Sequence, residues 1–182
     1  MKKCLIDSSS AILLYKSGLI QTLTSTFDVR VGTVVYKELT CSGYPGCEQF
    51  KKYFQGKQLE WQKKKGEEYC PHPMIIAALD PGERQTLLLF QEGLADFIIV
   101  DDGSAVRCCQ KLSIPHINAL LVPRIFCIAG KISREVCRQK MGQLTEIGHY
   151  GRNVIDYAWR CVDSRLIFFC SEEVRKEVGT RK

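Results

Sequence analysis

Short apolar runs alternate along this chain with stretches whose apolar residues recur at helical spacing. The run "CLI" (4–6) stops at Asp7, and "SSS" leads into "AILLYKSGLIQTL". That order predicts a strand, a polar turn and a helix with hydroxyl caps. "FDVRV" (27–31) predicts a second strand, and "GTVVYKELT" (32–40) a helix capped by Thr33. In "LDPGERQTLLLFQEG" (79–93), Asp80 supplies a cap, Pro81 the first helical position and Gly93 the stop. "FIIV" (97–100) predicts a buried strand, and "DGSAVRCCQKL" (102–112) the helix after it. "IPHI" predicts a last short strand before the helix "ALLVPRIFCIAG", and the spacing from Ser133 onward predicts two or three more helices. Residues 41–73 are the least regular, with one lysine-rich helix and a short strand predicted among glycines, prolines and charge runs.

Strand and helix alternating in this way predict an α/β fold, a mostly parallel sheet with helices on both faces. The expected organisation is one domain over 1–130, interrupted by an insertion-like segment at 41–73, with a helical extension over 131–182 packed on it. In open parallel sheets, ligands bind beyond the carboxyl ends of the strands, where the strand order reverses. Asp7 follows the first strand directly, and Asp101 and Asp102 follow "FIIV". All three are therefore expected at one edge of the sheet.

Two more carboxylates are candidates for the same place: Glu38 in "VVYKELT" and Glu83 in the first turn of the mid-chain helix. Carboxylates meeting in a cleft repel one another and are costly to desolvate, so something must offset them. Oxygen ligands of this kind suit Mg²⁺ or Mn²⁺. Each acid also has a local reading. Asp7 and Asp102 can cap the helices they precede, Glu83 stands three residues after Asp80 and can close a capping box, and Glu38 can be a solvated helix charge.

Composition narrows the classes. The 182 residues are 45% hydrophobic and 25% charged, which argues against disorder, and no apolar run reaches the roughly 20 residues needed to cross a bilayer. Two lysines before apolar residues at the start imitate a signal peptide, but Asp7, Lys16 and the lack of a small-residue cleavage site argue for a cytoplasmic protein. The net charge of +6 suits a polyanionic partner or, equally, a solvated surface. Lysines gather around aromatic residues in "KKYFQGKQLEWQKKK" (51–65). Lys51, Lys52, Lys63 and Lys64, with Arg84 and Arg107, are the candidates to hold a nucleic-acid backbone. Ten cysteines with no CxxC read mainly as small core residues or free thiols. Cys41, Cys47, Cys70 and His72 lie within one segment and form a candidate structural Zn²⁺ set, at a spacing that fits no standard pattern.

Four stretches in order, "CLIDSSSAILLYKSG", "VVYKELT", "LDPGERQTLLL" and "FIIVDDGSAVRCCQKLSIPHIN", resemble the PIN-domain family, and in particular its bacterial and archaeal VapC-type members. The resemblance runs from about residue 3 to residue 130. It implies an α/β/α sandwich and a metal-dependent endoribonuclease using Mg²⁺ or Mn²⁺. By position, Asp7, Glu38, Glu83 and Asp102 match the family's catalytic acids, Asp101 assists, and Arg107 resembles an arginine often found in the following helix. Asn118 stands where some members carry a further acid. RNA is the implied substrate, with a role as the toxin of a toxin–antitoxin pair and an antitoxin protein as further implied relations; separately, the apolar helices near residues 119–129 suit a homodimer or, equally, a core helix. The competing reading is a non-catalytic module that binds RNA or protein on the same scaffold. An aspartate-based phosphotransferase fits less well, because Ser9 stands where such enzymes want a second aspartate.

Overall fold

The computed structural model describes residues 1–63 and 73–179. Strand β1 (Lys3–Ile6) leads into α1 (Ser8–Lys16) and α2 (Ile20–Thr26), then β2 (Asp28–Gly32), α3 (Thr33–Thr40), α4 (Cys47–Gln55) and β3 (Leu59–Gln62). The chain continues through α5 (Pro73–Ile76), α6 (Pro81–Gln91), β4 (Phe97–Ile99), α7 (Gly103–Lys111) and β5 (His116–Ile117). After a 3₁₀ turn at Ala119–Leu121 come α8 (Val122–Ile128), α9 (Arg134–Ile147), α10 (Arg152–Arg160), α11 (Asp163–Leu166), a second 3₁₀ turn at Ile167–Phe169 and α12 (Glu172–Gly179).

The five strands pair in the order β3-β2-β1-β4-β5, every pair parallel. Successive side chains on a strand point to opposite faces, and the buried residues divide accordingly. Cys4, Ile6, Val29, Val31, Phe97 and Ile99 join one core with residues of α1, α2, α8 and α9. Leu5, Ile98 and Val100 join a second core with Ile76, Leu87, Leu89, Ala105 and Cys109. A sheet buried on both faces by separate helical layers is an α/β/α sandwich. Its central strands are accordingly apolar on both faces at Cys4–Ile6 and Phe97–Ile99, whereas β2 alternates through Asp28 and Arg30 and the edge strand β3 carries Glu60 and Gln62.

Several local expectations need correction. The single helix expected after "SSS" breaks into α1 and α2 at Ser17 and Gly18, where Gly18 takes φ 71°. Lys140 of α9 donates to the end of α1 at the Ser17 carbonyl, 2.7 Å away. Helix α3 is capped by Gly32, not Thr33; the Thr33 hydroxyl donates instead to the Gln62 carbonyl at the end of β3, 3.3 Å away. The expected lysine-rich helix and short strand of the irregular segment are α4 and β3, and β3 forms the edge of the sheet. Beyond Ser133 the chain makes four α-helices among the described residues, because Gly148–Gly151 and Cys161–Val162 interrupt the helical runs. The first of them, α9, packs Cys137, Met141 and Leu144 into the same core as the sheet.

Helix α3 is set against α6 by one side chain. Gln85 of α6 accepts from the Val34 N–H at 2.8 Å, satisfying a donor at the start of α3 that no helical carbonyl can reach. The space it occupies exists because residue 32 is glycine: a Cβ there would lie 2.4 Å from the Gln85 carbonyl oxygen. Gly32→Ala is expected to expel Gln85, orphan the Val34 N–H and cost about 1–3 kcal/mol, measured by urea denaturation. Gln85→Leu is expected to reproduce most of that loss while leaving Gly32 intact.

Candidate active site

At the carboxyl ends of the central strands a cleft of about 390 Å³ is lined by Asp7, Glu38, Asp80, Glu83, Asp101 and Asp102, with Ser8, Ser9, Gly82 and Gly148 among its other walls. Its position follows from the strand order. β1 and β4 are neighbours at the centre of the sheet, and the chain leaves them toward opposite sides, which opens a crevice between their ends. Asp7 ends β1 and donates its N–H to the Ile99 carbonyl of β4 at 3.2 Å, so the two acidic turns are stitched together at the backbone.

The acids are held in different ways. Asp7 is buried; its Oδ1 accepts from the Ser10 N–H at 2.8 Å, capping α1, and its Oδ2 from the Ser9 hydroxyl at 3.0 Å. Asp101 uses all its acceptor capacity inside the protein: the Ser10 hydroxyl donates at 2.6 Å, the Ala119 N–H at 3.1 and 3.2 Å, and the Tyr150 hydroxyl through a short bond. Asp102 caps α7 through Oδ1, which accepts from Ser104 N–H at 2.6 Å and Ala105 N–H at 3.1 Å; its Oδ2 has no protein donor among the described residues. Glu83 turns back to accept from the Asp80 N–H at 3.3 Å, the reciprocal half of a capping box at the start of α6. Glu38, half-buried on α3, has no hydrogen-bond or ion-pair partner among the described residues. Its carboxylate lies over Gly82, where an added Cβ would stand 3.4 Å from Oε2.

The expected convergence of distant acids is thus present, and so are the local capping roles of Asp7, Glu83 and Asp102. Both readings hold at once. Three helices, α1, α6 and α7, start at the cleft with aspartates as their caps, and the partial positive charge of their N-termini offsets part of the crowding. The remainder appears in the proton affinities. Burial, and then the neighbouring Asp101, push Asp7 up to about 6 against the pull of Ser9 and Ser10. Burial, and then Asp102, push Glu83 up to about 7. Burial also raises Asp101, opposed by its donors, and lifts the Tyr150 phenol above its ordinary range.

No lysine or arginine among the described residues lines this cleft, and the ion pairs of the described residues lie elsewhere, at Arg30–Asp28, Lys51–Glu48 and Arg124–Asp163. The uncompensated set is all oxygen, which fits a hard divalent cation. Among the described residues, however, no three His, Cys, Asp or Glu side chains close into a ready cage. Asp101 accepts two contacts on each oxygen, whereas Asp7, Glu38, Glu83 and Asp102 keep acceptor sites to offer. A cation that keeps several waters and takes only one or two carboxylates at a time, as Mg²⁺ does, suits so open an arrangement.

The other expected site residues do not join the cleft. Arg84 donates to the Ala77 and Leu79 carbonyls at 3.2 and 3.1 Å, closing the end of α5. Lys51 pairs with Glu48 at 2.7 Å on the surface of α4, and neither Lys52 nor Lys63 lines the cleft. Arg107 comes nearest in sequence register, donating to the Ser104 hydroxyl at 2.9 Å one turn beyond Asp102. Lys64 lies outside the described residues, as do Cys70 and His72 of the zinc set. Cys41 is exposed and Cys47 partly so. Asn118 does not stand in for a further acid at the cleft: it caps the 3₁₀ turn, accepting from Leu121 N–H at 3.1 Å. Sequence reasoning missed Ser10 and Tyr150. Ser10 was visible as the third residue after Asp7; Tyr150 carried no signal at all.

The architecture is a five-stranded parallel α/β/α sandwich with acids gathered beyond the central strand ends. The family model DUF3368, described as a PIN domain, matches residues 3–150, and the chain belongs to that family. No curated protein and no solved structure matches it. PIN domains are in general nucleases and typically use divalent metals, which sets the coarse functional class here. The match extends past residue 130 through α9 to Tyr150, the residue that donates to Asp101. Among the described residues no helix is long and apolar enough to cross a membrane.

Asp7 and Glu83 bind protons more tightly folded than unfolded, the reverse of a salt-bridged carboxylate. Over the window from about pH 4 to about pH 7, set by their ordinary values of 3.8 and 4.5 and their raised ones, the folded state holds more protons. Stability in chelator should therefore fall as pH rises through that window, checked by melting temperature against pH. Asp7→Asn keeps an acceptor for Ser10 and removes the charge. It should stabilise the metal-free protein at about pH 8 by on the order of 1–3 kcal/mol and flatten the pH dependence. Tyr150→Phe should instead cost about 1–3 kcal/mol, because it strips a donor from a buried carboxylate.

Proposed function

We propose that the protein is a metal-dependent endoribonuclease that cleaves RNA phosphodiester bonds at this cleft, with Mg²⁺ or Mn²⁺ held by Asp7, Glu38, Glu83 and Asp102. The observation that carries the reading is the collection of acids from β1, α3, α6 and β4 at one sheet edge with no cationic side chain lining it among the described residues. Crowding of this kind lowers stability and is kept where it serves chemistry. When bound, a divalent cation would activate water and stabilise charge on the phosphoryl oxygens.

The chain's own residues have distinct parts in this reading. Asp101 is a positioning residue: saturated by Ser10, Ala119 and Tyr150, it locks the turn that carries Asp102 against the start of α1. Ser9 and Ser10 fix the rotamer of Asp7. The Glu38 carboxylate lies over Gly82 in the cleft wall. Glu83, raised by burial and then by Asp102 to about 7 without a cation, would give up its proton to hold one. Arg107, in the middle of α7, reaches back over Gly103 to the Ser104 hydroxyl, which sets its guanidinium at the first turn of the helix that Asp102 caps, ready to contact a phosphate entering the cleft. His116 and His149 line no part of it.

The test is cleavage of a mixed-sequence single-stranded RNA with added Mn²⁺. Wild type should produce fragments, chelator should stop it, and Asp7→Asn, Glu38→Gln and Asp102→Asn should each lower the rate by about a hundredfold or more. In parallel, Mn²⁺ should raise the melting temperature of the wild type and not that of Asp7→Asn. A wild type that leaves RNA intact, or acid variants that cut as well as it does, would return the chain to the class of non-catalytic binding modules.

A further inference from the structure

A second cavity, about 460 Å³, lies between α8, α9 and the α10–α11 junction; Arg124, Arg134, Arg138, Met141, Trp159 and Asp163 are among its lining residues. Arg124 is committed to the fold. It donates to the Ala158 carbonyl at 3.1 Å and to the Cys161 carbonyl, and pairs with Asp163, which binds the α10–α11 corner to α8. Asp163, the only acid in the lining, is thereby neutralised. Arg134 and Arg138 are not committed. Both are exposed, they stand one turn apart on α9, and neither has a hydrogen-bond or ion-pair partner among the described residues. Two guanidinium groups at that spacing repel each other; exposed Glu135 feels both charges and offsets part of that repulsion, but it does not line the cavity. On α10, Trp159 is 44% exposed at the same cavity, over a wall formed by Met141 and Cys137.

We propose that this cavity binds a nucleotide, its phosphate taken by Arg134 and Arg138 and its base stacked on Trp159. Paired guanidinium forks match phosphate oxygens, and an indole face stacks on any base. A cationic end joined to an aromatic, apolar end selects a ligand in which phosphate and a planar ring are linked, and the volume is that of a small-molecule site. The site is distinct from the acidic cleft. Helix α9 runs from Arg134 at the cavity to Gly148 at the cleft, a span of roughly 20 Å at the usual rise per residue. A nucleotide bound here is therefore not the one at the acids. A free mononucleotide and one nucleotide of a longer strand present the same chemistry.

The experiment uses the full chain carrying Trp61→Phe, so that Trp159, the other of its two tryptophans, is the sole indole reporter. Chelator is present throughout, which makes the result independent of nuclease activity. Adenosine monophosphate, a short oligoadenylate, inorganic phosphate and a hexaglutamate peptide are titrated separately. Saturable quenching by a nucleotide probe is expected, weakened about tenfold or more by Arg134→Ala/Arg138→Ala. Binding of the monophosphate identifies a free-nucleotide site, and binding of the oligomer alone a strand site. Should the double variant fail to fold, calorimetry on Trp159→Leu decides, with a comparable loss of nucleotide affinity expected. The proposal is overturned if no nucleotide probe binds, if phosphate or the acidic peptide binds as tightly, or if the variants bind undiminished.

Discussion

The structure depends on keeping several carboxylates together where a parallel sheet turns over to its helices. Aspartates sit at the first positions after β1 and just beyond β4, where the start of each following helix needs an acceptor. The same oxygens therefore complete the helices and crowd one another. Helix N-termini and serine, tyrosine and backbone donors offset part of that repulsion, and the rest emerges as carboxyl groups that hold protons toward neutrality. An arginine in the cleft would have relieved the crowding. None among the described residues lines it, and the place is left open to something cationic from outside.

The adjacent aspartates of "DD" divide this work. Asp101 faces inward and is spent on Ser10, Ala119 and Tyr150, which tie together the first helix, the turn after β5 and the segment after α9. Asp102 faces outward, caps α7 with one oxygen and keeps the other for the cleft. Like charges side by side are tolerable here because they do not share an environment. The inner one fixes geometry so that the outer one can be used.

The two ends of α9 serve different surfaces. Its C-terminal end brings Gly148, and just beyond it Tyr150, to the acids; its N-terminal end carries two exposed arginines to a cavity lined in part by apolar side chains. Between them Cys137, Met141 and Leu144 are buried in the main core, so the helix is a rigid link rather than an appended segment. The +6 charge that suggested a polyanionic partner is accordingly spread over the surface and not concentrated in the acidic cleft.

Much of this was legible in the residues alone. Continuous apolar runs ending at aspartates located β1 and β4, because a strand buried on both faces needs little beyond continuous hydrophobicity; the shorter signals in "FDVRV" and "IPHI" located β2 and β5, and Asp80–Pro81 announced α6 because cap chemistry is local. The four acids with oxygens to offer were found for the same reason: each follows or opens a recognisable element. Tertiary structure decided the rest. Whether α1 continued or broke at Gly18, which residue capped α3, and where Arg84 and Lys51 spent their charges depend on partners far along the chain. Tyr150 reaches Asp101 across 49 positions, and Arg134 and Trp159, on separate helices, line one cavity. Local spacing encodes which groups a turn or helix presents; only packing brings groups from separate elements within a few ångströms, and that is where charge, proton affinity and binding are set.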